Sequence, residues 1–248
     1  MALESTLPQQ FIPTEQVFNL RDIGGLDAAD GKKVKTGMVF RSDNFGQATE
    51  SDLDYIVNDL GVRHVIDLRR PNELEVTGRF PEVEGVDFHH FELRHIPWES
   101  VEREVFADSP EEEIVRFLRQ RYSGMMEAGY KAVRDSLDVI SLGEPVIFHC
   151  MAGKDRTGIV AAVLLALLGV DDEDIAADYE LSNIGLERWR AWRDANLGAP
   201  ERDRGLGTPA EAMRATIEEI NDRFGSLAVY ARAIGFDKAD RVRELLLE

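Results

Sequence analysis

The chain of 248 residues contains one cysteine, Cys150. That excludes an internal disulfide framework and any zinc site built from several thiolates, and it suits a reducing compartment. A basic surface is also lacking. Twenty-nine lysines and arginines stand against 47 aspartates and glutamates, a formal charge of −18. Duplex nucleic acid and anionic membrane surfaces are therefore poor partners, because both require a broad cationic face. Nor is there a long apolar run. The longest, Gly158 to Val170, has 13 residues, short of the ~20 that span a bilayer. No N-terminal stretch reads as a signal peptide. These absences point to a cytoplasmic protein without a membrane span. Glycine (20) and proline (9) are too few for a low-complexity chain, and 44% hydrophobic residues suffice for a folded core.

Strand and helix patterns alternate through the first two-thirds. Residues 1–12 carry no period and read as a loosely docked arm. Thr36–Arg41 predicts a turn and short strand. Thr49–Leu60 predicts a helix with Thr49 as its cap, ended by Gly61. Val62–Leu68 and Val86–Leu93 predict strands. Residues 98–141 read as mostly helical, starting at Pro110 with Glu111, Glu112 and Glu113, and weakened at Gly124 and Gly129. Part of this stretch, about 98–130, is a candidate helical lid, with Trp98, Phe106, Met125 and Met126 lining the lid or packing it. Pro145–His149 is the clearest strand and Thr157–Leu168 a buried helix. Several helices follow, broken near 197–200, 205–209, 225 and 235. The expected fold is α/β: one domain over 1–248 with a mainly parallel sheet flanked by helices.

The informative segment is His149-Cys150-Met151-Ala152-Gly153-Lys154-Asp155-Arg156-Thr157-Gly158, between the clearest strand and the buried helix. A loop leaving the carboxyl end of such a strand binds ligands, and the helix after it offers amides and a positive dipole end to an anion. A cysteine there is expected to ionise readily, in the roughly 3.5–7.5 range of activated thiols, and to act as a nucleophile. Arg156 offers a planar fork for two phosphoryl oxygens. Gly153 permits a tight turn, and Thr157 can place a hydroxyl beside the sulfur.

Cys-x5-Arg in this form resembles the phosphate loop of cysteine-dependent tyrosine and dual-specificity phosphatases. With Gly-Lys-Asp-Arg-Thr-Gly it is similar to the bacterial family typified by the mycobacterial tyrosine phosphatase B. Other motifs agree in the same order: Asn19–Gly25, Phe40-Arg41-Ser42, Asp67-Leu68-Arg69 with Glu73, Ala177-Asp178-Tyr179 with Ser182-Asn183, and Gly225–Leu227 with Tyr230. The resemblance spans roughly residues 15–245. It implies the cysteine-phosphatase fold with a helical lid, and hydrolysis of phosphomonoesters through a phosphocysteine on Cys150 without metal or other cofactor. The implied substrates are phosphotyrosine proteins, extending to phosphoserine and phosphothreonine, or phosphoinositides, with inorganic phosphate as product. Residues 151–157 (Met151, Ala152, Gly153, Lys154, Asp155, Arg156 and Thr157) would cradle the phosphate.

The general acid departs from the common pattern, since no aspartate lies between Phe88 and Ala107. Asp155 is the first candidate and His95 the second, with Glu92 and Glu99 behind them. Lys154 is read as a substrate contact or a solvated loop charge, and His149 as a partner orienting the loop. Arg21, Asp22, Asp67 and Arg69 are read as ion pairs supporting the loop, with Arg21 or Arg69 touching substrate as the alternative. Two further functions stay open: a phosphoinositide phosphatase, favoured by Lys154, and a phosphate-binding pseudophosphatase. Sulfur transfer is disfavoured by Arg156 and the accompanying motifs, and arsenate reduction by the lack of a second cysteine.

Overall fold

A computed structural model describes residues 7–94, 109–198 and 206–248. Strand alternation decides how the layers assemble. The chain forms β1 (Arg21–Asp22), β2 (Val39–Ser42), α1 (Glu50–Asp54), which continues into a π-helical turn over Tyr55–Asp59, β3 (His64–Asp67), α2 (Pro71–Thr77) and β4 (Asp87–His90). Then come α3 (Glu111–Ala128), α4 (Tyr130–Ile140), β5 (Val146–His149), α5 (Asp155–Leu168), α6 (Asp172–Glu180), α7 (Ser182–Asn196), α8 (Ala210–Phe224), α9 (Leu227–Ala233) and α10 (Ala239–Leu246). The sheet order is β1-β2-β5-β3-β4, with β1 antiparallel to β2 and every other pair parallel.

Odd and even residues of the central strands go to different cores. Val39, Ile66, Val146 and Phe148 pack with α3, α4, α5, α8 and α9. Phe40, Val65 and Ile147 face the other way, onto Phe45, Ile56, Val57 and Phe80. Both faces of β5 are thus covered, which is why Val146-Ile147-Phe148 is continuously apolar. Helix α5 lies under the sheet, packed against α4, α6, α9 and α10. Nearly all of it is buried, matching an apolar pattern without a polar side.

Most of the expected elements are present. Thr49 caps α1 through a reciprocal bond with Asp52 (3.1 Å each way). Of the two glycines in the long helical stretch, Gly129 separates α3 from α4, while Gly124 lies within α3. Met125 and Met126 are core residues; Trp98 and Phe106 lie outside the described residues. The arm is docked from Phe11 onward. Phe11 is buried under the Arg21 guanidinium, and Ile12 and Asp22 exchange main-chain bonds with Leu20 and Gln10. Helix α2 has no counterpart in the sequence reading. It is seven residues long with no apolar period, and its one signal is Pro71 at the first turn followed by Glu73. No described helix is long and apolar enough to cross a membrane.

Candidate active site

Strand β5 delivers Cys150 to the carboxyl edge of the sheet, and Asp155 begins α5 five residues later. The chain between them is held by its carbonyls. Met151 O accepts from Asn44 N (3.2 Å) and Asn44 Nδ2 (2.9 Å). Ala152 O accepts from Asn19 Nδ2 (2.9 Å). Gly153 O accepts from Asn19 Nδ2 (3.2 Å) and Arg41 Nη2 (2.9 Å), and Lys154 O from Gly158 N (2.7 Å). With the carbonyls engaged from outside, the amides of residues 151–157 have no protein acceptor among the described residues. Unpaired consecutive amides at a helix N-terminus form an anion nest.

The turn requires Gly153. Its φ is +67°, and a Cβ there would lie 2.6 Å from the carbonyl carbon and oxygen of Ser42. Gly153→Ala is therefore expected to cost about 1–3 kcal/mol, as overpacking does, and to open the nest. Urea unfolding checks this, and a midpoint unchanged from wild type would count against it.

Beneath the nest, three buried charges are locked together. Arg21 Nε donates to Asp178 Oδ1 (3.0 Å), its Nη2 to Asp178 O (2.8 Å) and Ser182 Oγ (3.1 Å), and its Nη1 to Asn19 Oδ1. Arg41 Nη1 donates to the other Asp178 oxygen. Asp178 thus aims Arg21 and Arg41, and these aim Asn19 and the loop. On the opposite side Asp43 accepts the amides of Phe18 and Asn19 (2.9–3.2 Å); burial raises its pKa to about 6 despite those bonds. Arg69 is fully engaged with Asp67 (2.7 Å), Thr77 Oγ1 (2.5 Å) and Gly78 O (2.8 Å). His149 sits behind the cysteine, Nδ1 3.3 Å from Cys150 O and Nε2 3.5 Å from Asp67. Burial lowers its pKa to about 4 against the pull of Asp67, so it is neutral at pH 7.

Cys150 is buried, 2% exposed. Arg156 turns back over the loop from the first turn of α5, where Glu73 holds it by two bonds (Nη1 2.6 Å, Nη2 2.8 Å). Burial opposes its charge, but Glu73, the Cys150 sulfur and Asp155 outweigh burial and hold it ionised. Glu73 in turn would be raised by burial, yet Arg156 and the Arg70 amide bring it down to about 2. The fork is set with its charge opposed by a carboxylate beside a thiol, a geometry suited to an incoming oxyanion.

Asp155 Oδ1 accepts from Tyr122 Oη (2.5 Å), which is also 2.5 Å from Tyr179 Oη. Tyr122 comes from α3, so that helix reaches the loop. Both hydroxyls are held far above ordinary tyrosine pKa values, by burial first and by Asp155 next, and stay protonated. Lys154 is buried rather than solvated. Its Nζ donates to Leu206 O (2.7 Å) and Gly207 O (3.3 Å) and lies 3.8 Å from Asp155. Thr157 Oγ1 is buried without a hydrogen-bond partner, so its expected bond to the cysteine is not made.

The structure thus gathers Cys150, residues 151–157 and Arg156 at one point, while Arg21 and Arg69 serve as supports with their donors occupied by protein. His95 and Glu99 lie outside the described residues, and Glu92 is 3.5 Å from Arg94. Asn44 and Tyr122 were missed. Each acts from far along the chain, and nothing local in the sequence marks it.

Residues 12–248 match the model of the tyrosine phosphatase family. A Cupriavidus necator protein named as a tyrosine-protein phosphatase is 31% identical, aligned over 94% of this chain and 83% of its own. The triple specificity protein phosphatase PtpB of Mycobacterium tuberculosis is 27% identical over 93% and 96% respectively. A tyrosine-protein phosphatase of Nostoc commune is 29% identical over 81% and 70%.

Proposed function

The chain belongs to the tyrosine phosphatase family and is a phosphoester hydrolase, and from that premise we propose that it hydrolyses phosphotyrosine, and more slowly phosphoserine and phosphothreonine, with Cys150 as nucleophile and Asp155 as general acid. One observation supports this reading above the rest: the carbonyls of residues 151–153 are bonded from outside the loop, which leaves its amides without a protein acceptor among the described residues, next to Cys150 and Arg156. The breadth of specificity is suggested by the name of the mycobacterial relative.

In the first step the Cys150 thiolate attacks phosphorus, the P–S bond forms and the P–O bond to the tyrosine breaks. Asp155 gives its proton to the departing oxygen. In the second, water attacks the phosphocysteine, Asp155 takes the water's proton, and the thiolate leaves with inorganic phosphate formed. The three equatorial oxygens carry the developing charge, and the nest and Arg156 are already in place to meet it, so little reorganisation is needed at the barrier. Tyr122 holds Asp155 in one rotamer. Glu73 does the same for Arg156. Helix α3, the described part of the expected lid, packs against α8, α4 and α5 in the main core and reaches the site through Tyr122.

Turnover of para-nitrophenyl phosphate and of a phosphotyrosine peptide in EDTA tests the function, and Asp155→Asn tests the acid. An acid must be protonated to act, so the wild-type kcat profile is expected to fall on its alkaline side. Asp155→Asn should flatten that side and lower kcat by about 10²–10⁴-fold, with less effect on a substrate whose leaving group needs no proton. An unaltered alkaline limb would reassign the acid. Inactivity of wild type on both substrates, with hydrolysis of a phosphoinositide headgroup, would move the substrate from protein to lipid; binding without turnover on any substrate would mark a pseudophosphatase.

A further inference from the structure

A second cluster of reactive side chains lies at the other edge of the sheet. Strands β3 and β4 run parallel with His64 opposite Asp87 and Ile66 opposite His89. Residues two apart on a strand share a face, so His64, Asp87 and His89 project from the same side, at the amino ends of strands whose carboxyl ends carry the loop chemistry. His64 Nδ1 is 3.2 Å from His89 Nε2 and 3.7 Å from an Asp87 oxygen. One donor atom from each of the three residues lies within 4.8 Å of the other two. Two ligands about 2.0–2.1 Å from a tetrahedral zinc ion are themselves roughly 3.3 Å apart, so the two nitrogens already have the spacing of a chelate. The Asp87 side chain is 77% exposed and needs only a small rotation.

We propose that His64, His89 and Asp87 form a zinc site that clips β3 to β4, with water completing the coordination. A second observation supports the ligand state of His64. Its far nitrogen, Nε2, lies 3.1 Å from Glu144 Oε2. A carboxylate on one imidazole nitrogen fixes the proton there and leaves the lone pair of the other free, which is how metal-bound histidines are commonly oriented. Glu144 belongs to the turn entering β5, so the site ties three adjacent strands together at one edge. Two imidazoles and a carboxylate suit zinc better than magnesium or calcium, which prefer all-oxygen shells. The site plays no part in the phosphoryl chemistry.

The test uses the untagged full chain carrying Cys150→Ser, so that the thiolate offers no competing site. Titration calorimetry with zinc chloride is expected to give one ion per chain at micromolar affinity or tighter. Zinc at about 100-fold above Kd should raise Tm by about 5 °C or more, with magnesium at the same concentration producing no shift. Adding His89→Ala should weaken zinc binding by at least 100-fold and abolish the Tm shift. Asp87→Ala, on an exposed side chain that folding does not need, should weaken it by at least 10-fold, and Glu144→Gln by about 10-fold. Cobalt in place of zinc should show the visible absorption of a tetrahedral site, lost in His89→Ala. Zinc binding that is absent, or that survives both His89→Ala and Asp87→Ala unchanged, would overturn the proposal.

Discussion

Cys150→Ser is expected to abolish turnover, lowering kcat by at least about 10⁴-fold, while inorganic phosphate still binds within about threefold of wild type. The two results separate chemistry from binding. A serine hydroxyl at this position is not ionised near neutral pH and is a far weaker nucleophile than a thiolate. The nest does not depend on sulfur: its amides are oriented by Asn19, Arg41 and Asn44, and Arg156 by Glu73. The measurement is steady-state hydrolysis of para-nitrophenyl phosphate beside phosphate titration by calorimetry. More than 1% residual kcat would rule out a phosphocysteine. Loss of phosphate binding together with activity would show instead that the substitution had collapsed the loop.

The second large effect is on stability. Asp178→Ala should destabilise the protein by about 3–5 kcal/mol, the range for removing one member of a buried ion pair, and lower Tm by about 10 °C or more. Arg21 and Arg41 are both fully buried, and Asp178 is the carboxylate that each of them meets. Removing it leaves two cations without their counter-charge. Asp178→Asn keeps acceptor oxygen and should lose less. Burial alone would raise the Asp178 carboxyl, and the two arginines bring it below its ordinary value. Its folded pKa is therefore depressed, so the stabilisation is complete above the unfolded value of about 3.9 and fades as pH falls through the folded one. The gap between wild type and Asp178→Ala should accordingly narrow in strong acid. Chemical unfolding at pH 7 and pH 3 measures both; a loss under 1 kcal/mol at pH 7 would contradict the role assigned to the carboxylate.

How much of this is written in the sequence depends on distance along the chain. Strand β5, the loop and α5 are legible because their signals are consecutive: an apolar run, a polar loop with Gly153, and a helix start. Leu68 and Leu93 are buried, yet β3 and β4 stop at Asp67 and His90; burial continues past the last paired residue, which is why the pattern overran both strands. The supporting charges were visible only as motif matches. Nothing in Asn19-Leu20-Arg21 says that Asn19 will reach Ala152 or that Arg21 will meet Asp178. The same holds for Lys154. A lysine in a loop ordinarily points to solvent, and here the carbonyls of Leu206 and Gly207 draw it inward. Thr157, two residues into α5, has its hydroxyl buried without a partner, a rotamer that spacing alone cannot specify.

The strand order has a consequence for synthesis. The centre of the sheet is the strand made last. Until residues 146–149 leave the ribosome, β1 can pair only with β2 and β3 only with β4, and the inner edges of β2 and β3 face no neighbour. At about 5–20 residues per second, the interval from Ser42 to His149 lasts on the order of 5–20 s. During it Val39, Phe40, Val65 and Ile66 lack the inner neighbour that β5 supplies, and such edges invite pairing with other chains. Arrival of β5 joins the two halves and brings Cys150 between them in the same event. A nascent chain halted before Val146 should therefore be a client for chaperones, and the completed chain should not.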